Sequence, residues 1–248
     1  MSSKDYFSQL APGYSRYRPH YPKELFKYLS SLAVGHDRAW DCATGNGQAA
    51  FGLATHFKQI IATDLSEKQI ANAIKHEKII YAIAPAEKVD IESGSIDLIT
   101  VAQALHWFDF DAFYKEAKRV LNPDGVIAAW AYKFINVSPS IDSLLEDFHE
   151  NTIKPYWRPE NNLVDNEFFS LPFPFEELEP PRFDMEALWD FDHLIGFLGT
   201  WSAVQRYKEE NDSDPIESIT EDLKRAWDNP ETKKRISWPL LVRIGRSS

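Results

Sequence analysis

Residues 41 to 47 read "DCATGNG", an aspartate followed by two glycines one residue apart, directly after the apolar run that begins at Ala39. Glycine takes positive φ without strain and lets a ligand approach the backbone, so Gly45 and Gly47 at the end of an expected strand form a turn suited to holding something. Gly45, Gly47 and Ala50 satisfy G-x-G-x-x-[GA], and Asp64 follows 17 positions after Gly47 at the end of the next apolar run. An acid there accepts hydrogen bonds from the ribose of any adenosine-bearing cofactor, or serves the N-terminal region of the next helix. A nucleoside triphosphate does not suit this turn: G-x-x-x-x-G-K-[ST] is absent, and the residues after it are "QAAF", without the lysine. H-E-x-x-H and G-x-S-x-G are absent too, the seven histidines are dispersed, and no metal is expected.

The elements that must position these residues alternate. Leu25 to Leu32 has helical spacing, "AWDCA" reads as a buried strand, residues 48 to 57 as a helix and "QIIATD" as a strand. "SEKQIANAIKHE" is a helix with Ser66 as N-cap, and "KIIYAIA" a strand. "SIDLITVAQAL", a helix from Asp109 to Leu121, the turn "NPDG" and the strand "VIAAWAY" complete the run. Strand-then-helix order predicts an α/β fold with a parallel sheet, whose ligands bind beyond the carboxyl ends of the strands where strand order reverses. After about Lys133 the pattern changes. A helix over Ser140 to Asn151 precedes a stretch dense in Pro and aromatics, read as a lid or insertion and not an independent domain. Then come a helical "MEALWDFDHLIGFLGTW", an acidic loop "KEENDSDPIES", a helix around Glu221 to Trp227 and a terminal strand "RISWPLLVRIG".

With 248 residues, 44% hydrophobic, the chain is long enough for one large core. The single cysteine, Cys42, excludes an internal disulfide framework. A formal charge of −11 disfavours a broad phosphate-binding surface, so the expected partner is a small molecule and not nucleic acid; the basic run "ETKKRI" reads as a solvated strand start. No apolar run is long enough to cross a bilayer and no signal segment opens the chain. We expect a soluble cytoplasmic protein away from membranes, with its oligomeric state left open.

The ordered segments "WDCATGNGQAA", "IIATDLSEKQIANA", "APAEKVDIESGSIDLITVAQALHWF" and "KRVLNPDGVIAAW" together resemble the class I S-adenosylmethionine-dependent methyltransferases over residues 39 to about 132. The opening "YFSQLAPGYSRYRPHYP" and the tail are similar to the small-molecule subgroup that includes the trans-aconitate methyltransferase-like proteins. The resemblance implies a Rossmann-like, seven-stranded, mostly parallel sheet with helices on both faces and a small helical or irregular lid. It implies one domain over 1–248: an N-terminal cover (1–35), a cofactor-binding core (36–132), substrate-side insertions (133–177 and 186–232) and C-terminal strands (178–185 and 233–246).

By the same resemblance the cofactor is S-adenosyl-L-methionine. The Gly45–Gly47 turn would pack against its methionine part, with Asp41 orienting the turn or its bound water and Asp64 on the ribose. Leu65 would flank the adenine, Ala86 and Glu87 line its edge, and Tyr14, Ala43, Gln103 and Ala104 complete the cofactor set. The family's usual acid before Ala-Glu is here Pro85, so a backbone carbonyl or Glu87 takes its place. Trp107, Arg158, Trp201 and Arg206 are expected around the substrate.

Methyl transfer from a sulfonium needs a nucleophile held in line and stripped of water more than it needs catalytic groups. A carboxylate acceptor requires no base but wants an arginine; Arg18, in "RYRPHYP", is preferred over Arg158 and Arg206. A hydroxyl or amine acceptor requires a base, for which His106 is the candidate. Two alternatives stay open at this point: an NAD(P)-dependent oxidoreductase, and a catalytically silent protein that binds an adenosyl cofactor.

Overall fold

The computed structural model describes residues 17–132, 134–158 and 168–247. Helix α1 spans Lys23–Leu32, followed by β1 (Arg38–Cys42), α2 (Gln48–Leu53), β2 (Gln59–Asp64), α3 (Glu67–Ala71) and β3 (Ile79–Ile83). Next are β4 (Ile96–Ala102), a short 3-10 turn over Leu105–Trp107, α4 (Phe110–Val120) and β5 (Leu121–Tyr132). The remainder holds α5 (Pro139–Asp147), β6 (Glu176–Leu178), β7 (Asp184–Trp189), α6 (Phe191–Gly199), α7 (Ser202–Asn211), α8 (Glu217–Trp227) and β8 (Lys234–Arg246).

The sheet runs β3-β2-β1-β4-β5-β8-β6, seven strands as expected, with β7 added off this path against β8. Strands β1 to β5 are parallel neighbours, while β8 is antiparallel to β5, β6 and β7. Chain order therefore leads leftward from β1 through β2 to β3 and rightward from β4 to β5. The connections at the carboxyl ends of β1 and β4 diverge and leave a crevice between them.

Burial follows the two-residue period of strands covered on both faces. In β5, Val126, Ala128 and Trp130 join one core with α1, α2, α5, α6 and α8, while Ile127, Ala129 and Ala131 join the other with Phe113 and Ala117 of α4. Helices thus lie on both sheet faces, and Cys42 is a buried free thiol inside β1.

Local departures from the sequence reading have physical causes. The Ser66 cap forms, accepting from Gln69 N at 3.3 Å, but α3 ends at Ala71 because Asn72 Nδ2 donates to Lys68 O and Ile74 N is taken by Asn46 O at 3.0 Å. The expected turn "NPDG" is a bulge within β5: between the pairs Ile96↔Leu121 and Leu98↔Val126 the strands lose register, with Asp124 at φ 62°. "MEALW" is strand β7, not helix. Met185, Leu188 and Trp189 fit helical spacing, yet the run pairs residue by residue with Lys234–Trp238 of β8, which leaves Leu188 68% exposed. The expected C-terminal strand at 178–185 is instead two strands, β6 and β7. Of the acidic loop, Lys208–Asn211 finishes α7. Among the described residues no helix is long and apolar enough to cross a membrane.

Candidate functional site

The loops leaving β1, β2, β4 and β5 enclose a cleft of about 230 Å³. Of the expected site residues, Arg18, Ala43, Gly45, Asp64, Leu65, Ala86, Glu87, Gln103, Ala104 and Trp107 line it. Tyr14 lies outside the described residues.

The glycine turn forms the floor. Ala43, Gly45 and Gly47 take φ of 54°, 56° and 85°. Thr44 N–H donates to Thr63 O at 2.9 Å, pinning the turn to β2. A Cβ at Gly45 would meet nothing within 4 Å, so that position opens on the cleft. Gly47 does not line it. A Cβ there would stand 2.1 Å from Tyr81 Oη, and Gly47 is the N-cap of α2; its lack of a side chain serves packing on β3.

Asp41, placed with the cofactor by the resemblance, lies under the turn, fully buried. It accepts from Thr44 Oγ1 at 2.5 Å, Thr100 Oγ1 at 2.7 Å and Ala50 N at 3.0 Å. Burial pushes its pKa up to about 6 against these hydrogen bonds. Of the two roles read for it, the structure supports orienting the turn. Asp64 serves the start of the next helix and also faces the cleft: Oδ2 accepts from Gly45 N and Oδ1 from Ser66 N, each at 2.8 Å, while the side chain lines the cleft. Burial also raises its pKa.

Beside Asp64, Leu65 stays 43% exposed at the cleft, and Ala86 and Glu87 form the adjoining wall. Glu87 Oε1 accepts from Asp109 N at 3.2 Å, and Asp109 Oδ1 caps α4 through Ala112 N at 3.1 Å. Glu87 is therefore the carboxylate near the place where Pro85 replaces an acid.

At the end of β4, Gln103 has φ 57° and gives its backbone N–H to Trp130 O at 2.8 Å. Its Nε2 is buried without a hydrogen-bond partner. A left-handed non-glycine residue costs about 1 kcal/mol or more and an orphaned buried donor about 1–3 kcal/mol. His106 is a correction. Its ring is 7% exposed and absent from the cleft lining, and burial pushes its pKa down to about 4. The 3-10 turn presents the neighbouring Trp107 to the cleft instead.

At the β5 side, Arg18 Nη1 donates to the Tyr132 hydroxyl and Nη2 to Thr200 O at 3.3 Å, with the guanidinium carbon 5.3 Å from the Phe197 ring centre. The other expected substrate residues are not in the lining. Arg158 sits 5.9 Å over the outer Trp107 ring. Trp201 is buried against Phe134, Trp157 and Phe197. Arg206 Nη1 donates to Tyr156 O at 2.9 Å, tying α7 to the 3-10 turn Lys154–Tyr156.

The lining also contains residues the sequence reading did not single out, among them Tyr21, Thr44, Asn46, Gln69, Phe108 and Tyr132. Tyr132 was findable as the last residue of the strand beside β4. Its pairing with Arg18, 114 positions away, leaves no local signal.

The charged lining is bipolar. Asp64 and Glu87 stand at the β2 and β3 side, Arg18 at the β5 side. Acceptors for hydroxyl and amino groups, a floor bare of side chain at Gly45 and the unpartnered Gln103 Nε2 beyond it suit an adenosyl compound ending in a charged group. No cluster of three or more metal-ligating side chains occurs among the described residues.

The chain is similar to known proteins. A family profile described as a methyltransferase domain matches residues 40–129. A Dictyostelium discoideum protein named as a methyltransferase is 31% identical over 98% of this chain and 95% of its own. A Saccharomyces cerevisiae protein named as an S-adenosylmethionine-dependent methyltransferase is 29% identical over 48% of this chain and 44% of its own. A solved structure from Anaeromyxobacter dehalogenans, described as a type II methyltransferase, superposes with a TM-score of 0.87 at 40% identity, covering 92% of this chain and 97% of that one.

Proposed function

Because this chain belongs to the class I S-adenosylmethionine-dependent methyltransferases, we propose that it methylates a small organic carboxylate on oxygen. Family membership chooses between the readings that the glycine turn left open, in favour of a sulfonium nucleoside over a dinucleotide and of an enzyme over a silent binder. S-adenosyl-L-methionine, its cofactor, supplies an electrophilic methyl group.

In this reading Asp64 accepts from the ribose hydroxyls, Leu65, Ala86 and Glu87 hold the adenine, and the Thr44–Gly45 backbone lies along the methionine portion. Asp41 acts from beneath by fixing the turn. The observation that carries the acceptor class is the Arg18–Tyr132 pair at the end of the cleft opposite the acids. A guanidinium there neutralises and orients a carboxylate. Among the described residues the lining includes no histidine or lysine, and Asp64 and Glu87 are engaged by backbone N–H groups. An acceptor already ionised at neutral pH needs no base. Trp107, Phe108 and Tyr132 exclude water around it. We extend the same reading to the whole chain as one methyltransferase domain, with residues 133–177 and 186–232 on the acceptor side.

The test is transfer from methyl-labelled cofactor into an extract of small metabolites, followed by identification of the labelled product. A methyl ester supports the proposal. A labelled amine or thioether refutes it.

A further inference from the structure

One side-chain donor in the cleft is left without work by the fold. Gln103 directly follows β4, is held in the left-handed region and fixed by its N–H to Trp130 O, and keeps Nε2 buried and unpartnered. Local preference does not select glutamine for that backbone, and an orphaned donor does not help folding. Such features persist where a site holds them in place.

Its neighbours indicate what the donor is for. Ala102 pairs with Trp130, so the residues leaving β4 and β5 rise side by side and Gln103 stands next to the strand that ends in Tyr132. Tyr132 receives Arg18 Nη1. Gln103 thus belongs to the donor-rich end of the cleft, with the acid Asp64 at the end of β2, across β1 from β4.

We propose that Gln103 positions the methyl acceptor, its Nε2 donating to an oxygen of a carboxylate whose charge Arg18 balances. This rests on the carboxylate reading above and moves Gln103 from the cofactor to the acceptor. The acceptor's other oxygen forms the new O–C bond as the S–C bond breaks; the bonding pair stays on sulfur and no proton is released.

The experiment compares wild type with Gln103→Leu, Gln103→Glu and Gln103→Asn, the last keeping an amide and tolerating left-handed φ. Calorimetry with S-adenosylhomocysteine reads the cofactor side. Initial rates with methyl-labelled S-adenosylmethionine against a panel of short mono-, di- and tricarboxylates read the acceptor side, and thermal melting checks folding. The expected result for Gln103→Leu is an acceptor KM about tenfold higher, as for one lost hydrogen bond to a charged group, with S-adenosylhomocysteine affinity within about twofold of wild type. Gln103→Glu, which sets a carboxylate against the acceptor, loses about a hundredfold in kcat/KM, and Gln103→Asn recovers part of the loss. An affinity for S-adenosylhomocysteine that falls while acceptor KM holds overturns the proposal by returning Gln103 to the cofactor. Unchanged values on both sides overturn it by leaving Gln103 idle. A wild-type protein that methylates no carboxylate removes the acceptor reading itself, and Gln103's role with it, before any variant is compared.

Discussion

Asp64 Oδ2 accepts the Gly45 N–H at 2.8 Å, joining the end of β2 to the glycine turn after β1. The carboxylate that faces the cleft thus also sets the turn that forms its floor. Asp64→Ala is expected to weaken S-adenosylhomocysteine binding by about tenfold to a hundredfold, the range for hydrogen bonds to an ionised group at about 1.5–3 kcal/mol, and to loosen the turn. Titration calorimetry measures the first effect, and unaltered affinity would remove Asp64 from the cofactor site.

The two glycines of the turn separate stability from binding. Gly45→Ala adds a methyl that meets nothing within 4 Å, so its folding cost is about 1 kcal/mol for the positive φ, while the methyl stands in the cleft and lowers cofactor affinity. Gly47→Ala drives a Cβ to 2.1 Å from Tyr81 Oη as well as straining φ, at a cost of about 2–3 kcal/mol in stability. Urea unfolding beside S-adenosylhomocysteine titration should show the two losses on different axes. Adding Tyr81→Phe should recover part of the Gly47→Ala deficit, since the nearest atom is gone.

The glycine turn and the strand after it were legible because their signals are local. "DCATGNG" and "QIIATD" carry their turn and strand in neighbouring residues, and both appear where the spacing placed them. The β5 side of the cleft was not, for a physical reason: its geometry is set by contacts distant in sequence. Arg18 meets Tyr132 and Thr200 across 114 and 182 positions, and "MEALW" fits two periodicities until β8 supplies a strand partner. His106 misled because its type suits a base, while which of two adjacent residues faces the cleft depends on the pitch of a three-residue turn. Arg206 and Trp201 were misplaced similarly: Arg206, on α7, bonds Tyr156 O, and Trp201, in the extended residue before α7, packs on Phe134, Trp157 and Phe197, so neither lines the cleft.

Arginines on and off the cleft should separate by readout. Arg18→Ala is expected to raise the KM for a carboxylate acceptor by about tenfold or more, through loss of a charge-assisted contact, with S-adenosylhomocysteine affinity little changed. Arg206→Ala loses only its tie to Tyr156 O, so it should lower the melting temperature slightly and leave both substrates' constants in place. Should Arg18→Ala instead weaken S-adenosylhomocysteine, the guanidinium serves the cofactor's own carboxylate and the acceptor assignment fails.

His106 offers a test in pH. Burial holds its pKa at about 4, against 6.5 for the free side chain. Between those values the unfolded chain binds a proton that the folded protein does not, so stability on this account is complete above about pH 6.5 and declines toward pH 4, by at most about 3 kcal/mol. Asp41 works in the opposite sense: with its pKa pushed up to about 6 from 3.8, the folded protein holds the proton longer, and its contribution is lost as pH rises from about 4 to 6. The two windows overlap, so wild type alone shows a shallow profile and a single substitution is needed to separate them. In urea unfolding between about pH 4.5 and 7.5, His106→Phe should gain on wild type steadily as pH falls. Parallel profiles would mean that the imidazole protonates in the folded state. Because the ring lies outside the cleft, the same variant should retain methyl transfer, whereas loss of turnover in a folded His106→Phe protein would restore it as the base and argue for a hydroxyl or amine acceptor.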